Sequence, residues 1–249
     1  MFASIEYRLL KHISPSEPRI MSGEAYAGKS KFRVLLGEKL TEELMGKDVI
    51  DFGCGTGEQA IELAISGARR VVGIDIQTSF LQIARDAAAT AGVADRCQFA
   101  THPTEPADAV VSIDSFEHFS DPAAILQTMF ECLKPGGAVF LSFGPTWYHP
   151  LGGHLFSIFP WAHLIFSEQA LIRWRSDIRS DGATRFSEVE GGLNQMTIAR
   201  FEQLVSASRF DLGYMDLQPI RSLRSLHNSW TREFTTAIVR AKLTRPEQA

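Results

Sequence analysis

The sequence predicts an α/β domain built on a mostly parallel sheet, and three observations carry this prediction. Between residues 48 and 145, short apolar runs alternate with helical stretches, a pattern typical of parallel sheets. The first apolar run, Val49–Ile50, leads into a turn with glycine at alternate positions, and a helical stretch follows. The second run, Val71–Ile74, ends in Asp75. Together these elements form a βαβ unit whose terminal acid stands where two ribose hydroxyls could be bound.

The turn after the first strand contains Gly53, Gly55 and Gly57. Glycine has no Cβ, so such a turn bends sharply and lets a ligand approach the backbone closely. Amides at the start of the next helix, predicted from Glu58 to Ser66, lack partners within that helix and favour polar or anionic groups. The spacing is neither the G-x-G-x-x-G of dinucleotide enzymes nor a P-loop. The turn therefore suits an anionic or polar cofactor.

The remaining elements follow the same alternation. A helix is predicted from about Thr78 to Ala91, with Thr78 or Ser79 as its N-cap. The other elements are predicted, in chain order, as a short strand near Cys97–Thr101, a fourth strand at Ala107–Ile113, a turn and fifth strand in Leu133–Leu141, a helix at Thr197–Ser208, and final strands at Phe210–Leu217 and Phe234–Leu243.

Two segments lie outside this alternation. Residues 1–47 precede the first strand, and a helical pattern from about Ser30 to Met45 predicts an N-terminal helical cap ahead of a domain that spans residues 48–249. Residues 146–195, called the lid segment below, are rich in aromatic side chains and histidine. This segment follows the fifth strand. It is interpreted either as a lid over an apolar acceptor or as core packing against the sheet.

The motif Asp51-x-Gly53-x-Gly55-x-Gly57 resembles motif I of class I S-adenosylmethionine (SAM) methyltransferases. Asp75, the fourth strand and the turn into the fifth match later motifs of that family, in order, over roughly residues 48–145. The Glu-His pair that ends in His118 is similar to a stretch of ubiquinone-biosynthesis-type small-molecule methyltransferases. The resemblance implies a Rossmann-like sheet of seven strands in the order 3-2-1-4-5-7-6, a lid insertion after strand five, and SAM as the cofactor.

The resemblance also implies roles for individual residues. Asp51 would hold the amino group of the SAM methionine, the glycines would form the wall against which SAM lies, and Asp75 would bind the ribose. Ile76 would pack on the adenine face, although simple core packing is an alternative. The residue that reads the adenine amino group stays open, because the family's usual acid after strand three is missing. The predicted cofactor-binding residues are Asp51, Gly53, Cys54, Gly55, Gly57, Asp75, Ile76, Asp114 and Ser115.

His118 and His154 are the predicted catalytic residues, since an imidazole titrates near neutrality and can act as a general base. For His118, a local structural hydrogen bond is the alternative. An oxygen acceptor is the first expectation because a dry apolar pocket favours an anionic nucleophile. Nitrogen and carbon acceptors, and alignment without any base, stay open. No metal is expected, since the histidines lack a tight ligand spacing.

Composition restricts the partners. The net charge of −4 and the absence of N-P-P-Y and Pro-Cys motifs argue against nucleic acid. The apolar stretch Leu155–Phe166 contains Pro160 and His163 and is shorter than the ~20 residues that span a bilayer, so no stable membrane insertion is expected. Three scattered cysteines fit a reducing cytoplasm.

The sequence therefore predicts a cytoplasmic SAM-dependent methyltransferase whose acceptor is a small, partly apolar or aromatic molecule. Two alternatives stay open because a fold does not decide the chemistry. One is a non-methylating SAM-dependent biosynthetic enzyme, and the other is a non-catalytic module that binds SAM or a partner. The identity of the acceptor and the oligomeric state are also open.

Overall fold

A computed structural model describes residues 2–14, 29–103, 105–189 and 192–247. Its sheet has seven strands in the order β3-β2-β1-β4-β5-β7-β6. Strands β1 to β5 pair in parallel, whereas β7 is antiparallel to both β5 and β6. This confirms the predicted sheet. The strands are β1 Asp48–Phe52, β2 Arg70–Ile74, β3 Cys97–Ala100, β4 Ala107–Ile113, β5 Leu133–Phe143, β6 Asp211–Pro219 and β7 Thr236–Thr244.

The helices connect these strands across both faces of the sheet. They are α1 Phe2–Ile13, α2 Lys31–Leu36, α3 Glu38–Glu43, α4 Glu58–Ile65, α5 Thr78–Thr90, α6 Pro122–Glu131, α7 Ala162–Ile165, α8 Glu168–Ser176, α9 Ile198–Ala207 and α10 Arg232–Thr235. Short 3-10 turns occur at Phe116–His118, Phe186–Glu188 and Arg221–Leu226. Among the described residues, no helix has both the length and the apolar character needed to cross a membrane.

The central strands are continuous apolar runs because both of their faces are buried. Strand β1 is buried at every position. One face of the sheet packs under α6 and α9, where Phe130 and Phe201 are fully buried. The other face packs under α2, α4 and α5, where Phe32, Leu63 and Leu81 are buried. Helices on both faces are what a parallel sheet requires.

Three sequence expectations about element limits are wrong. The helical pattern of Ser30–Met45 is two short helices, because Gly37 has a φ of +91° and ends the first of them. The N-cap of α5 is Gln77, rather than Thr78 or Ser79. The last strand begins at Thr236 rather than Phe234, which lies in α10. Each error concerns a boundary, where local sequence signals are weakest.

The lid segment has a small core of its own. Phe156, Leu171, Trp174 and Phe186 are buried there, and Leu10 of α1 packs among them. Helix α1 therefore packs on the lid segment, whereas α2 packs on the sheet. The N-terminal cap predicted for residues 1–47 is thus divided between two cores, that of the lid segment and that of the sheet. Residues 15–28 of the predicted cap lie outside the described residues.

Candidate functional site

The glycine turn lies at the carboxyl end of β1 and before α4. Gly53, Gly55 and Gly57 all have positive φ, at +81°, +50° and +84°. A Cβ on Gly53 would approach the Ser115 hydroxyl to 2.6 Å, and one on Gly57 would approach Phe99 to 2.8 Å. A Cβ on Gly55 would meet no described atom within 4 Å. Packing therefore requires glycine at the outer two positions, whereas Gly55 faces space that a cofactor can occupy.

Asp75 joins the end of β2 to this turn. Its Oδ2 accepts a hydrogen bond from the Gly55 amide at 2.9 Å, and its Oδ1 accepts one from the Gln77 amide at 2.9 Å. Ile76, directly after it, has 87% of its surface exposed. The carboxylate and the exposed apolar side chain therefore stand beside the open face of the turn, where the ribose and adenine positions are predicted.

Asp51 is buried under the turn, with 2% of its surface exposed. Its Oδ2 has no hydrogen-bond partner among the described residues. Burial raises the pKa of this carboxyl to about 7, and the charge of Asp75 raises it further, while the Ala60 amide acts in the opposite direction. Cys54 is also buried, so its side chain packs in the core below the turn. An orphaned acceptor at this place is chemically suited to an ammonium group.

The carboxyl end of β4 contributes Asp114 and Ser115. Asp114 has a φ of +50°, and its Oδ2 lies 3.2 Å from Nζ of Lys31. Burial raises the pKa of Asp114, and Lys31 opposes that shift. The Ser115 hydroxyl lies 3.1 Å from the Gly53 carbonyl oxygen, so it ties the end of β4 to the glycine turn. Lys31 carries no sequence signal, because it comes from the N-terminal segment.

His118 and His154 are brought together by the fold. Their ring centroids lie 5.2 Å apart, although one follows β4 and the other belongs to the lid segment. His118 Nδ1 lies 2.8 Å from the carbonyl oxygen of Gly192. A carbonyl only accepts hydrogen bonds, so this nitrogen carries the proton, and Nε2 of the neutral ring is left with a lone pair. That lone pair is what a general base needs.

His154 differs from its neighbour in its surroundings. Its Nδ1 is buried and has no hydrogen-bond partner among the described residues. Burial lowers the pKa of His154 to about 3, and the proximity of His118 lowers it further. His154 is therefore a neutral ring at ordinary pH. The two predicted catalytic histidines thus lie side by side. Nδ1 of His118 has a hydrogen-bond partner, whereas Nδ1 of His154 has none among the described residues.

The C-terminal end of the lid segment is hydrogen-bonded to the turn that contains His118. The side-chain amide of Asn194 donates to the carbonyl oxygens of Phe116 at 2.8 Å and Phe119 at 2.9 Å. Gly192 has a φ of +64°, and a Cβ there would lie 2.9 Å from the His118 carbonyl oxygen. The position of His118 therefore depends on residues more than seventy positions later in the chain.

Glu117 is a site residue that sequence reasoning missed. It is 2% exposed, its Oε1 accepts the Gly144 amide at 3.1 Å, and its Oε2 has no described partner. Burial raises the pKa of Glu117 to about 8, with a further contribution from the charge of Asp114. It links the turn after β4 to the end of β5, where the lid segment starts. Its sequence signal was the Glu-His pair that it forms with His118, a pair that gave the acid no role of its own.

The histidines and acids do not gather around a metal position. In the part of the chain that the structure describes, no group of three or more His, Cys, Asp or Glu side chains is arranged to hold a metal ion.

The fold and the glycine site define a class I type of methyltransferase domain, and comparison with known proteins identifies the family. A family model described as a methyltransferase domain matches residues 28–190. The chain belongs to this family. SAM is the methyl donor that this family uses.

Curated relatives match over part of their length. The chain is 38% identical over 101 residues to a ribosomal protein L11 methyltransferase of Serratia proteamaculans, covering 40% of this chain and 34% of that protein. It is 39% identical over 107 residues to a ubiquinone biosynthesis O-methyltransferase of Neisseria meningitidis serogroup A, covering 40% of this chain and 45% of that protein. The match thus spans less than half the length of these relatives.

Solved structures share the fold. A magnesium protoporphyrin IX methyltransferase from Synechocystis with bound SAH has a TM-score of 0.55 at 17% identity, covering 92% of this chain and 85% of that one. A SAM-dependent methyltransferase from Mesorhizobium loti has a TM-score of 0.55 at 17% identity, covering 82% and 93%. At this identity the likeness concerns the fold alone.

The residues at the glycine site fit SAM. The orphaned Oδ2 of Asp51 is an acceptor for the ammonium group, and Gly55 leaves room against the backbone. Asp75 stands at the end of β2, where the ribose hydroxyls of a nucleoside are recognised in such folds. Three independent features of the site therefore agree with the donor that the family uses.

Proposed function

We propose that the protein transfers the methyl group of SAM to an oxygen atom of a small, partly apolar molecule. The observation that carries the proposal is the hydrogen bond from His118 Nδ1 to the Gly192 carbonyl, which leaves Nε2 free to accept a proton. A hydroxyl becomes a strong nucleophile when it loses its proton, whereas a neutral amine attacks with its own lone pair. A preset proton acceptor therefore favours oxygen over nitrogen.

The chain's own residues have distinct tasks in this reaction. SAM, when bound, supplies an activated methyl group on its sulfonium. Asp51 and Asp75 hold the two ends of the donor, and the glycine turn lets it lie close to the backbone. His118 takes the proton of the acceptor hydroxyl. His154, neutral and half-buried, forms the neighbouring wall. Holding acceptor and donor in line supplies a large part of the rate through proximity.

The lid segment supports an apolar acceptor. From residue 135 to residue 167 the chain contains no Asp, Glu, Lys or Arg. Trp147 and His163 pack with ring centroids 4.6 Å apart, and Trp147 also contacts Phe186 at 5.5 Å. Apolar and aromatic walls with a few placed polar groups are typical of small-molecule pockets. The free, buried cysteines support a reducing compartment, the cytoplasm, as the place of the reaction.

The matched relatives define the competing acceptor classes. One is named for a ribosomal protein and the other for O-methylation in ubiquinone biosynthesis. A decisive experiment incubates the protein with methyl-labelled SAM and separate pools of phenols, amines and ribosomal protein. We expect the label in an ether product of a phenol. Label confined to amines or to protein would overturn the assignment to oxygen.

Two histidine variants test the base. His118→Gln keeps a polar side chain but cannot accept the proton, so we expect a loss of about 10²- to 10⁴-fold in kcat/KM and a flatter rise of rate with pH. His154→Gln is the matched control, and its rate should keep rising with pH. SAM affinity, measured by calorimetry, should be unchanged in both. A His118→Gln enzyme with the full rate and pH profile would remove the base from the proposal.

A further inference from the structure

Helix α1 presents an apolar stripe on the side that faces away from the protein. Ile5, Leu9 and Ile13 are spaced by four residues, so they share one helix face, and 60%, 52% and 38% of their surfaces are exposed. Tyr7 and Leu10, on the opposite face, pack into the core of the lid segment. One face of the helix thus packs against the protein, whereas the apolar side chains on its second face are exposed in the part of the chain that the structure describes.

The lid segment continues this apolar surface. Ile158, Phe159, Leu164 and Ile165 are all exposed. The segment adjoins α1 because the Ser167 amide donates to Oε2 of Glu6 at 3.2 Å. Ile165 stands two residues before Ser167 and Ile5 one residue before Glu6, so exposed apolar residues of both elements flank this contact.

The β6–β7 linker, residues 220–235, adds the third part. Trp230 has 92% of its surface exposed, and Leu226 and Phe234 are also exposed. The ring of Phe234 lies 5.3 Å from that of Tyr148 in the lid segment, and the Tyr148 carbonyl accepts the Trp161 indole at 3.0 Å. The linker therefore meets the lid segment directly. A contiguous group of exposed apolar side chains, rather than a single one, marks a binding surface.

Helix α1 and the β6–β7 linker carry net positive charge, opposite in sign to the net charge of −4 of the whole chain. Helix α1 has Arg8 and Lys11 against Glu6, and the linker has three arginines against Glu233. Residues 135–167 of the adjoining region carry no charged side chain. Arg221 and Arg224 are exposed in the linker, and Arg8 is exposed on α1. The surface of these elements therefore combines exposed apolar side chains with positively charged arginines beside them.

We propose that α1, the lid segment and the β6–β7 linker form one surface that docks the protein onto an anionic lipid bilayer. An amphipathic helix with basic flanks lies in the plane of the interface with its apolar face inserted, and tryptophan prefers the headgroup level. Arginines beside the apolar residues are attracted to anionic headgroups of the cytoplasmic leaflet. Docking of this kind leaves the chain on the surface of the membrane, and it does not depend on methyl transfer.

Vesicle flotation with the full chain tests the proposal without SAM or acceptor. We expect the protein to float with vesicles of phosphatidylcholine and phosphatidylglycerol, weakly with phosphatidylcholine alone, and less as salt screens the arginines. Trp230→Ser and Leu9→Ser should each weaken binding about tenfold or more, because each removes a large inserted apolar side chain. Arg221→Gln with Arg224→Gln should remove the preference for anionic vesicles.

Ile83→Ser is the matched control. Ile83 is 52% exposed on α5, which packs beside β3 at the opposite edge of the sheet, so its replacement should leave flotation unchanged. The SAM affinity of every variant is measured as well, to check that each variant is correctly folded. Wild-type protein that does not float, or an equal loss in Ile83→Ser, would overturn the proposal. So would a dimer, seen by light scattering, that Trp230→Ser and Leu9→Ser dissociate, because the surface would then serve a second copy.

Discussion

The cofactor side and the proposed acceptor side of this site are built in different ways. The cofactor side comes from one βαβ unit between residues 48 and 75, and its main groups are backbone amides, glycine conformations and two strand-end acids. The proposed acceptor side is assembled from the turn after β4 and the lid segment. Side-chain hydrogen bonds of His118 and Asn194 and the contact between the His118 and His154 rings join these two parts. A site made by local backbone geometry leaves a sequence motif, whereas one made by distant side chains leaves almost none.

The two sides also rest on different cores. The glycine turn is attached to a sheet whose two faces are buried. The lid segment depends on a smaller cluster that includes α1. Regions with fewer buried contacts open at lower free energy than the central sheet, so the acceptor side is expected to unfold first. Four measurements test this difference, from the largest expected effect to the smallest.

Phe156→Ala should separate the two sides most strongly. Phe156 is 1% exposed and contacts the Phe186 ring at 4.9 Å. Removing a buried phenylalanine costs about 3–5 kcal/mol. We expect hydrogen exchange to increase throughout the lid segment and acceptor turnover to disappear, while calorimetry still detects SAM binding. Phe159→Ala, at a partly exposed position, is the control. Loss of SAM binding in parallel with acceptor turnover would show that the two sides are one cooperative unit.

Two valine variants compare positions within the glycine turn. Gly57→Val places a side chain against Phe99 and Ala84, so the free energy of unfolding should fall by about 1–3 kcal/mol from overpacking, with added backbone strain. Gly55→Val carries the strain alone, about 1–2 kcal/mol, and should lose SAM binding. Urea unfolding and calorimetry measure the two effects. Equal affinity for SAM in Gly55→Val and the wild type would contradict the assignment of the open face to the cofactor.

Asp75→Ala should weaken cofactor binding. An unpaired polar edge of a bound ligand costs about 1–3 kcal/mol, which corresponds to roughly tenfold to a hundredfold weaker SAM binding. The variant also loses the hydrogen bonds that the carboxylate accepts from the Gly55 and Gln77 amides, so the free energy of unfolding should fall by about 1–3 kcal/mol as well. Asp86→Ala, an exposed acid on α5, is the matched control. An unchanged dissociation constant in Asp75→Ala would remove this residue from the site.

Glu117→Gln tests the link between the two sides through pH. The folded protein keeps a proton on Glu117 up to about pH 8, whereas the unfolded chain releases it near the ordinary pKa of about 4.3. The folded state therefore binds the extra proton between these values, and the free energy of unfolding falls as pH rises, by at most about 1.4 kcal/mol per pH unit.

Glutamine has no proton to lose and still accepts the Gly144 amide. The variant should therefore show a shallower fall in urea-unfolding free energy between pH 6 and pH 7. Asp51 contributes a fall of the same sign, so the slope should decrease without vanishing. Glu131→Gln, on an exposed position of α6, should keep the wild-type slope. An identical slope in Glu117→Gln would mean that this carboxyl is ionised in the folded protein.

The sequence by itself determined the parallel sheet, the glycine turn and the strand-end acid, because hydrophobic periodicity and glycine spacing are local properties. The strand order came from the resemblance of these motifs to a known family. The sequence indicated the two histidines as candidates but not their proximity, and it gave no role to Lys31 or to the acid of the Glu117-His118 pair. The tautomer of His118, the orphaned oxygens of Asp51 and Glu117, and the joining of α1 to the lid segment were decided by the tertiary structure. Burial and hydrogen bonding between residues far apart in the chain set these properties, and no short stretch of sequence contains them.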